Sequence, residues 1–156
     1  MIDTRRIACA LLVLVAAFAT TAIHTAYAQA PDSAQEANGI SYVSGGIGAT
    51  SRDSLAAREK SFNFKLVMTL EGSGTFVSDA VVTLASADGR KLVEHLAHGP
   101  LFLARLPAGD YAVSATFRNQ TRTRTIRLRG DPLHTVYMRW PADPAREDVT
   151  LPWDAK

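Results

Sequence analysis

Two stretches of this 156-residue chain carry residue types whose spacing suits chemistry. In SGGIGATSRDSL, Ser44 to Leu55, three glycines precede a helix start, as in loops that cradle phosphate. Further on, Arg118, Arg122, Arg124, Arg127, Arg129 and Arg139 fall within 22 positions, and guanidinium groups pair bidentately with phosphate or carboxylate. His95, His98 and His134, with Tyr42, Tyr111 and Tyr137, are the potential metal ligands.

The glycine stretch lacks what a nucleotide loop needs. A GxxxxGK[ST] loop requires a lysine, and none lies between Gly45 and Lys60. A GxGxxG loop started at Gly46 and Gly48 puts Ser51 where the third glycine belongs. The residues instead predict a tight turn at Gly45, Gly46 and Gly48, using positive φ or close backbone approach. They then predict a helix of about ten residues capped by Thr50, with Asp53 completing a T-x-x-D box. That carboxylate would occupy the positive helix end where a phosphate would otherwise sit. Leu55 and Phe62 would dock the helix on the body of the protein.

The remaining catalytic constellations are equally thin. His95 and His98, three apart on an extended strand end, fall on opposite faces, so no metal site and no cofactor is expected. GxSxG is absent, and no Ser, His and acid form a local motif. Asp79, Asp88 and Asp110 sit where turns favour aspartate. The chain is therefore expected not to be an enzyme, an uncharacterised hydrolase with dispersed residues being the second alternative.

Strands must position the arginines. In FNFKLVMTL, Phe62, Phe64, Leu66, Met68 and Leu70 share one face and Asn63, Lys65 and Thr69 the other, which is the period of a half-buried strand. Ala80, Val82 and Leu84 line a second strand, and the Asp88-Gly89 hairpin signal leads to KLVEH. LFLARL, YAVSATF, TRTRTIRLR and HTVYMRW follow, separated by turn signals every eight to twelve residues. Such a series predicts an all-β antiparallel sandwich of about seven strands over 61–140, preceded by the short helix. Arg127 and Arg129 lie on the face opposite Ile126 and Leu128, and with Arg118 and Arg139 they form a candidate anion or partner face. Arg122 and Arg124 share parity with the core positions, so they must lie beyond the core's edge or be displaced by a bulge.

The flanks suggest a destination. Arg5 and Arg6, the apolar run Ile7 to Ala19 and the small-x-small triplet ending at Ala28 match a secretory signal peptide over 1–28. Cleavage there removes Cys9 and leaves 128 residues with a net charge of +1, to be held by their core without disulfides in the periplasm or outside the cell. No second segment is long and apolar enough to span a bilayer. The segment 29–60 is expected as an arm with the glycine turn and helix, disordered or loosely held up to Asn38, and 141–156 as an extended tail whose Trp153 packs back on the body. Near-neutral charge, export and the lack of interleaved aromatics exclude a general nucleic-acid binder.

From Val77 to Phe117, the SDAVVTL strand, the ADG turn and GPLFLARLPAGDYAVSA resemble the carboxypeptidase regulatory-like domain, a transthyretin-like or prealbumin-like β-sandwich. The strongest local signature is LPAGDY: Leu106 ends one strand, Pro107 and Gly109 make the crossing turn, and Tyr111 starts the next strand with its ring inward. The resemblance covers most of Phe62 to Trp140 and implies a non-catalytic folding, spacing or binding unit. A Tyr-Arg-Gly-Ser tail, which the hydrolases of this architecture carry, is replaced by WDAK. The expected role is an exported binding or scaffolding module for an envelope protein or anionic polymer. A carbohydrate or small-ligand module, using Tyr137, Trp140 or Trp153, is the first alternative.

Overall fold

A computed structural model describes residues 32–142. The expected signal peptide, Cys9, and the tail from 143 with Trp153 lie outside the described residues. Among the described residues nine strands form two sheets packed face to face, with one short helix, so the protein is an all-β sandwich.

The seven strands expected over 61–140 all form: β3 Phe64–Leu70, β4 Ala80–Ser86, β5 Lys91–Ala97, β6 Leu101–Arg105, β7 Gly109–Phe117, β8 Gln120–Leu128 and β9 His134–Trp140. Two more precede them, β1 Gln35–Ala37 and β2 Ile40–Gly45, in a region expected to hold only an arm, turn and helix. Asn38 and Gly39, both at positive φ, join β1 to β2 as a two-residue hairpin turn with Ala37 opposite Ile40. Asn-Gly is the strongest short-range signal for that turn, because both central residues need positive φ.

One sheet runs β1-β2-β6-β3-β9 and the other β5-β4-β7-β8. All pairings are antiparallel except β3 with β9, which are parallel from Phe64 opposite His134 to Leu70 opposite Trp140. This differs from the wholly antiparallel expectation: β9 arrives over the sandwich end from the opposite sheet, so no tight turn constrains its direction.

Period-two alternation fills the space between the sheets. Phe64, Leu66, Met68, Phe102, Met138 and Trp140 from one sheet meet Val82, Leu84, Tyr111, Val113, Ile126 and Leu128 from the other, all buried. A bulge between Leu84 and Ala85 lets both Leu92 and Val93 turn inward.

The helix α1, Gly48–Arg58, continues into a 3₁₀ turn at Glu59–Ser61. It covers the outer face of β2 and β6, where Leu55 and Phe62 pack with Val43 and Leu103. Burying Leu55 contributes roughly 2 kcal/mol to this seat. Phe62 thus leaves the β3 face on which its parity placed it, because extended backbone begins there but strand pairing starts at Phe64.

Asn63, expected on the solvent face, is 2 % exposed. Its Nδ2 donates to the carbonyls of Leu106 at 2.8 Å and Gly130 at 3.1 Å, and its Oδ1 accepts from Leu106 N at 2.9 Å. One side chain therefore joins the start of β3 to the β6–β7 and β8–β9 connections.

Candidate functional site

The glycine turn supports the helix and makes a close chain crossing. Gly46 has φ +98° and Gly48 φ +78°, backbone that L side chains rarely adopt. Gly45 passes against Gly99, whose added Cβ would lie 2.2 Å from the Gly45 carbonyl oxygen. The capping box does not form: Ile47 is the N-cap residue, no side chain caps the helix, and no acidic residue lies in its first turn. Helical geometry starts two residues before Thr50, so Thr50 and Asp53 lie inside the helix rather than at its mouth. Ser51 Oγ reaches back to accept from Gly46 N at 2.6 Å.

The LPAGDY corner brings its residues together. Leu106 and Tyr111 are buried, and the Tyr111 hydroxyl donates to the Pro107 carbonyl at 2.9 Å across the turn that Gly109 leaves. These atoms are engaged in holding the crossing between sheets.

The histidines do not converge. His95 faces the interior, hydrogen-bonded through Nε2 to Ser44 Oγ at 2.7 Å and edge-on to the Tyr42 ring. Burial, then the nearby His98, lowers its pKa below the usual histidine value. His98 is exposed beside Asp79, and His134 is exposed at the start of β9. Among the described residues, no three or more His, Cys, Asp or Glu side chains are grouped to hold a metal ion. Ser44 and His95 have nucleophile-to-base spacing. However, Ser44 is buried, and neither residue lines the clefts at the β8 and β9 edges, at the helix start or at the Leu106–Pro107 turn.

The arginines are sorted by the edges of the sandwich. Arg127 lies directly opposite Asp110 on β7, donating from Nε to Oδ1 at 2.6 Å and from Nη2 to Oδ2 at 3.0 Å. This fork holds the Asp110 carboxyl below the usual carboxylate range. Asp110 is therefore a strand residue with a cross-strand partner, not a turn residue, and Arg127 is engaged rather than open to a ligand. Arg118 sits at the tip of the β7–β8 hairpin, its guanidinium 4.9 Å from the Phe117 ring centroid. Arg129 is exposed just past β8. The candidate set Arg118, Arg127, Arg129 and Arg139 thus does not form one face.

A different set assembles. Among the described residues, β8 and β9 are the edge strands of their sheets on the same side of the sandwich, and where they part lies a cleft of about 440 Å³. Arg122, Arg124, Arg139, Tyr137, Thr121 and Thr123 line it, with Glu71 and Met138. The β7–β8 register runs without a shift, so Arg122 and Arg124 keep inner-face parity and lie beyond the core's edge, opposite Ala115 and Val113. Trp140, whose Nε1 donates to Gln120 O at 2.9 Å, and Phe117 close the core beneath them. Arg139 lies 5.9 Å from the Tyr137 ring centroid. Among the described residues, Arg122, Arg124 and Arg139 have no carboxylate within ion-pair distance, while Lys65, Lys91, Arg105 and Arg127 each have one.

The signal for this cluster was present in the parity of Arg122 and Arg124. A charged residue at an inner-face position marks where a sheet outruns its partner. Finding Arg139 beside them required the parallel β3–β9 pairing, which no local pattern reports.

A further groove of about 280 Å³ lies at the helix start, lined by the exposed Ile47 and Phe76 together with Arg52 and Pro100. Among the described residues, no helix is long and apolar enough to cross a membrane. Neither a scan against protein-family models nor a search of curated proteins finds a match for this chain.

Proposed function

We propose that this chain is a non-catalytic binding or scaffolding module, exported to the cell envelope, that holds an anionic partner in the cleft between β8 and β9. The observation that carries the reading is that Arg122, Arg124 and Arg139 line the cleft where two sheet edges part, three guanidinium groups to the single carboxylate of Glu71 among the described lining residues and none of them in an ion pair there. Guanidinium groups left in a recess between low-dielectric walls concentrate positive potential, which favours a carboxylate- or phosphate-bearing ligand. The secretory pattern of residues 1–28 supports the location. The resemblance of the Leu106–Tyr111 corner and its flanking strands to regulatory-like domains supports a spacing or binding role over a catalytic one.

The test is calorimetric titration with oligoglutamate and with oligogalacturonate at low salt. At least one should bind, more weakly as salt rises, and Arg122→Ser with Arg124→Ser should abolish the binding while Arg129→Ser leaves it intact. Binding that survives the double substitution, or no binding to either anion, would overturn the proposal.

A further inference from the structure

We infer that the partner of the β8–β9 cleft is an extended acidic polypeptide segment, added along the free edge of β8 as a further strand. This rests on the anion-binding reading of the cleft and names the ligand class.

Three features point to a strand. β8 is nine residues long and, among the described residues, pairs only with β7, so alternate residues turn their N–H and C=O groups away from the sheet. An incoming strand would satisfy those groups, as in other complexes that extend a sheet at its edge. Second, Arg122 and Arg124 are two residues apart on one face, a repeat of about 7 Å that matches acidic side chains at alternate positions of an extended peptide. Arg139 lines the same cleft from β9. Third, Thr121, Thr123 and Thr125 alternate with these arginines and suit small hydroxyl residues across the strand pair.

Charge also selects against the commonest competitor. A second copy of β8 would bring Arg122 and Arg124 against like charges, whereas an acidic strand replaces that repulsion with ion pairs. A sugar ligand is served less well. The cleft offers one aromatic ring, Tyr137, and the Arg139 guanidinium lies near that ring. The exposed backbone edge gives a glycan nothing that it gives a peptide in regular repeat.

The experiment uses the exported protein and a short, end-blocked peptide alternating Glu and Thr. Two further versions carry N-methyl groups on the Glu amides or on the Thr amides, and oligogalacturonate serves as the glycan control. Strand addition uses every second N–H, so one methylated peptide should lose about tenfold or more in affinity while the other stays close to the parent. The Arg122→Ser, Arg124→Ser protein should lose the parent peptide. If both methylated peptides bind like the parent, or the glycan binds and the peptide does not, strand addition is overturned while the anion cleft stands. If neither anion binds at low salt, both fall.

Discussion

Asn63 and Leu106 grip each other in both directions: Asn63 Nδ2 donates to the Leu106 carbonyl at 2.8 Å, and Leu106 N donates back to Asn63 Oδ1 at 2.9 Å. With the third bond, to Gly130, this buried amide ties three chain segments together, while the Asn63 backbone donates to the Ala104 carbonyl at 3.2 Å and accepts from His134 N at 2.8 Å. Asn63→Ala should destabilise the fold by about 2–4 kcal/mol, because buried backbone groups lose their partners without water to replace them. Urea unfolding measures this. Asn63→Asp should be no better, since a carboxylate oxygen would then face the two carbonyls that Nδ2 now serves. A shift under about 0.5 kcal/mol in both variants would show the clamp to be redundant.

The Ser44–His95 bond bridges the two sheets on the side away from the arginine cleft. Burial lowers the His95 pKa, so the unfolded chain binds a proton more readily than the folded one. Stability is therefore unaffected well above the unfolded value of 6.5 and falls as pH drops below it toward the folded value. The urea midpoint should decline from about pH 7.5 to about pH 5.5, and His95→Gln should flatten that decline. An equal decline in the variant would assign the effect to other groups.

Arg127 and Asp110 form an exposed cross-strand fork, and its signature is in titration rather than in stability. In Arg127→Ala, the Asp110 carboxyl should titrate closer to the ordinary value of 3.8, as read by NMR. Because the folded pKa is depressed, the small stabilisation exists above that ordinary value and disappears as pH falls through the folded one. Arg127→Glu should leave anion binding in the β8–β9 cleft unchanged, and a loss of binding would place the ligand on the outer face instead.

Gly99 crosses Gly45 with no room for a side chain. Gly99→Ala puts a methyl group against backbone atoms that no rotamer change can move, so it should cost about 1–3 kcal/mol in thermal or urea unfolding. Gly74→Ala provides the contrast. Open space surrounds that position, and the cost there comes from its φ of +69° alone.

The strands over 61–140 were legible because alternation is local: Phe64, Leu66 and Met68 declare a buried face without reference to what covers them. The two-residue Asn38-Gly39 turn was legible in the same way, although the polar composition around it argued for an arm. The helix starts ahead of the capping motif at Thr50 and Asp53 because the turn geometry at Gly46 and Gly48 pre-empts it. Parity alone places Asn63 toward solvent. Its burial depends on Leu106 and Gly130, 43 and 67 residues away, so no window of sequence contains its environment. The same distance rule governs the arginines. Residue type and period place Arg122 and Arg124 on the inner face of β8 and Arg127 on the outer one, and that much belongs to the sequence. Only the tertiary structure decides that β8 and β9 are both edges, that the core stops short of Arg122, and that Asp110 occupies Arg127. Which strands lie side by side is set by the packing of two whole sheets, and that sum of distant contacts has no local signature.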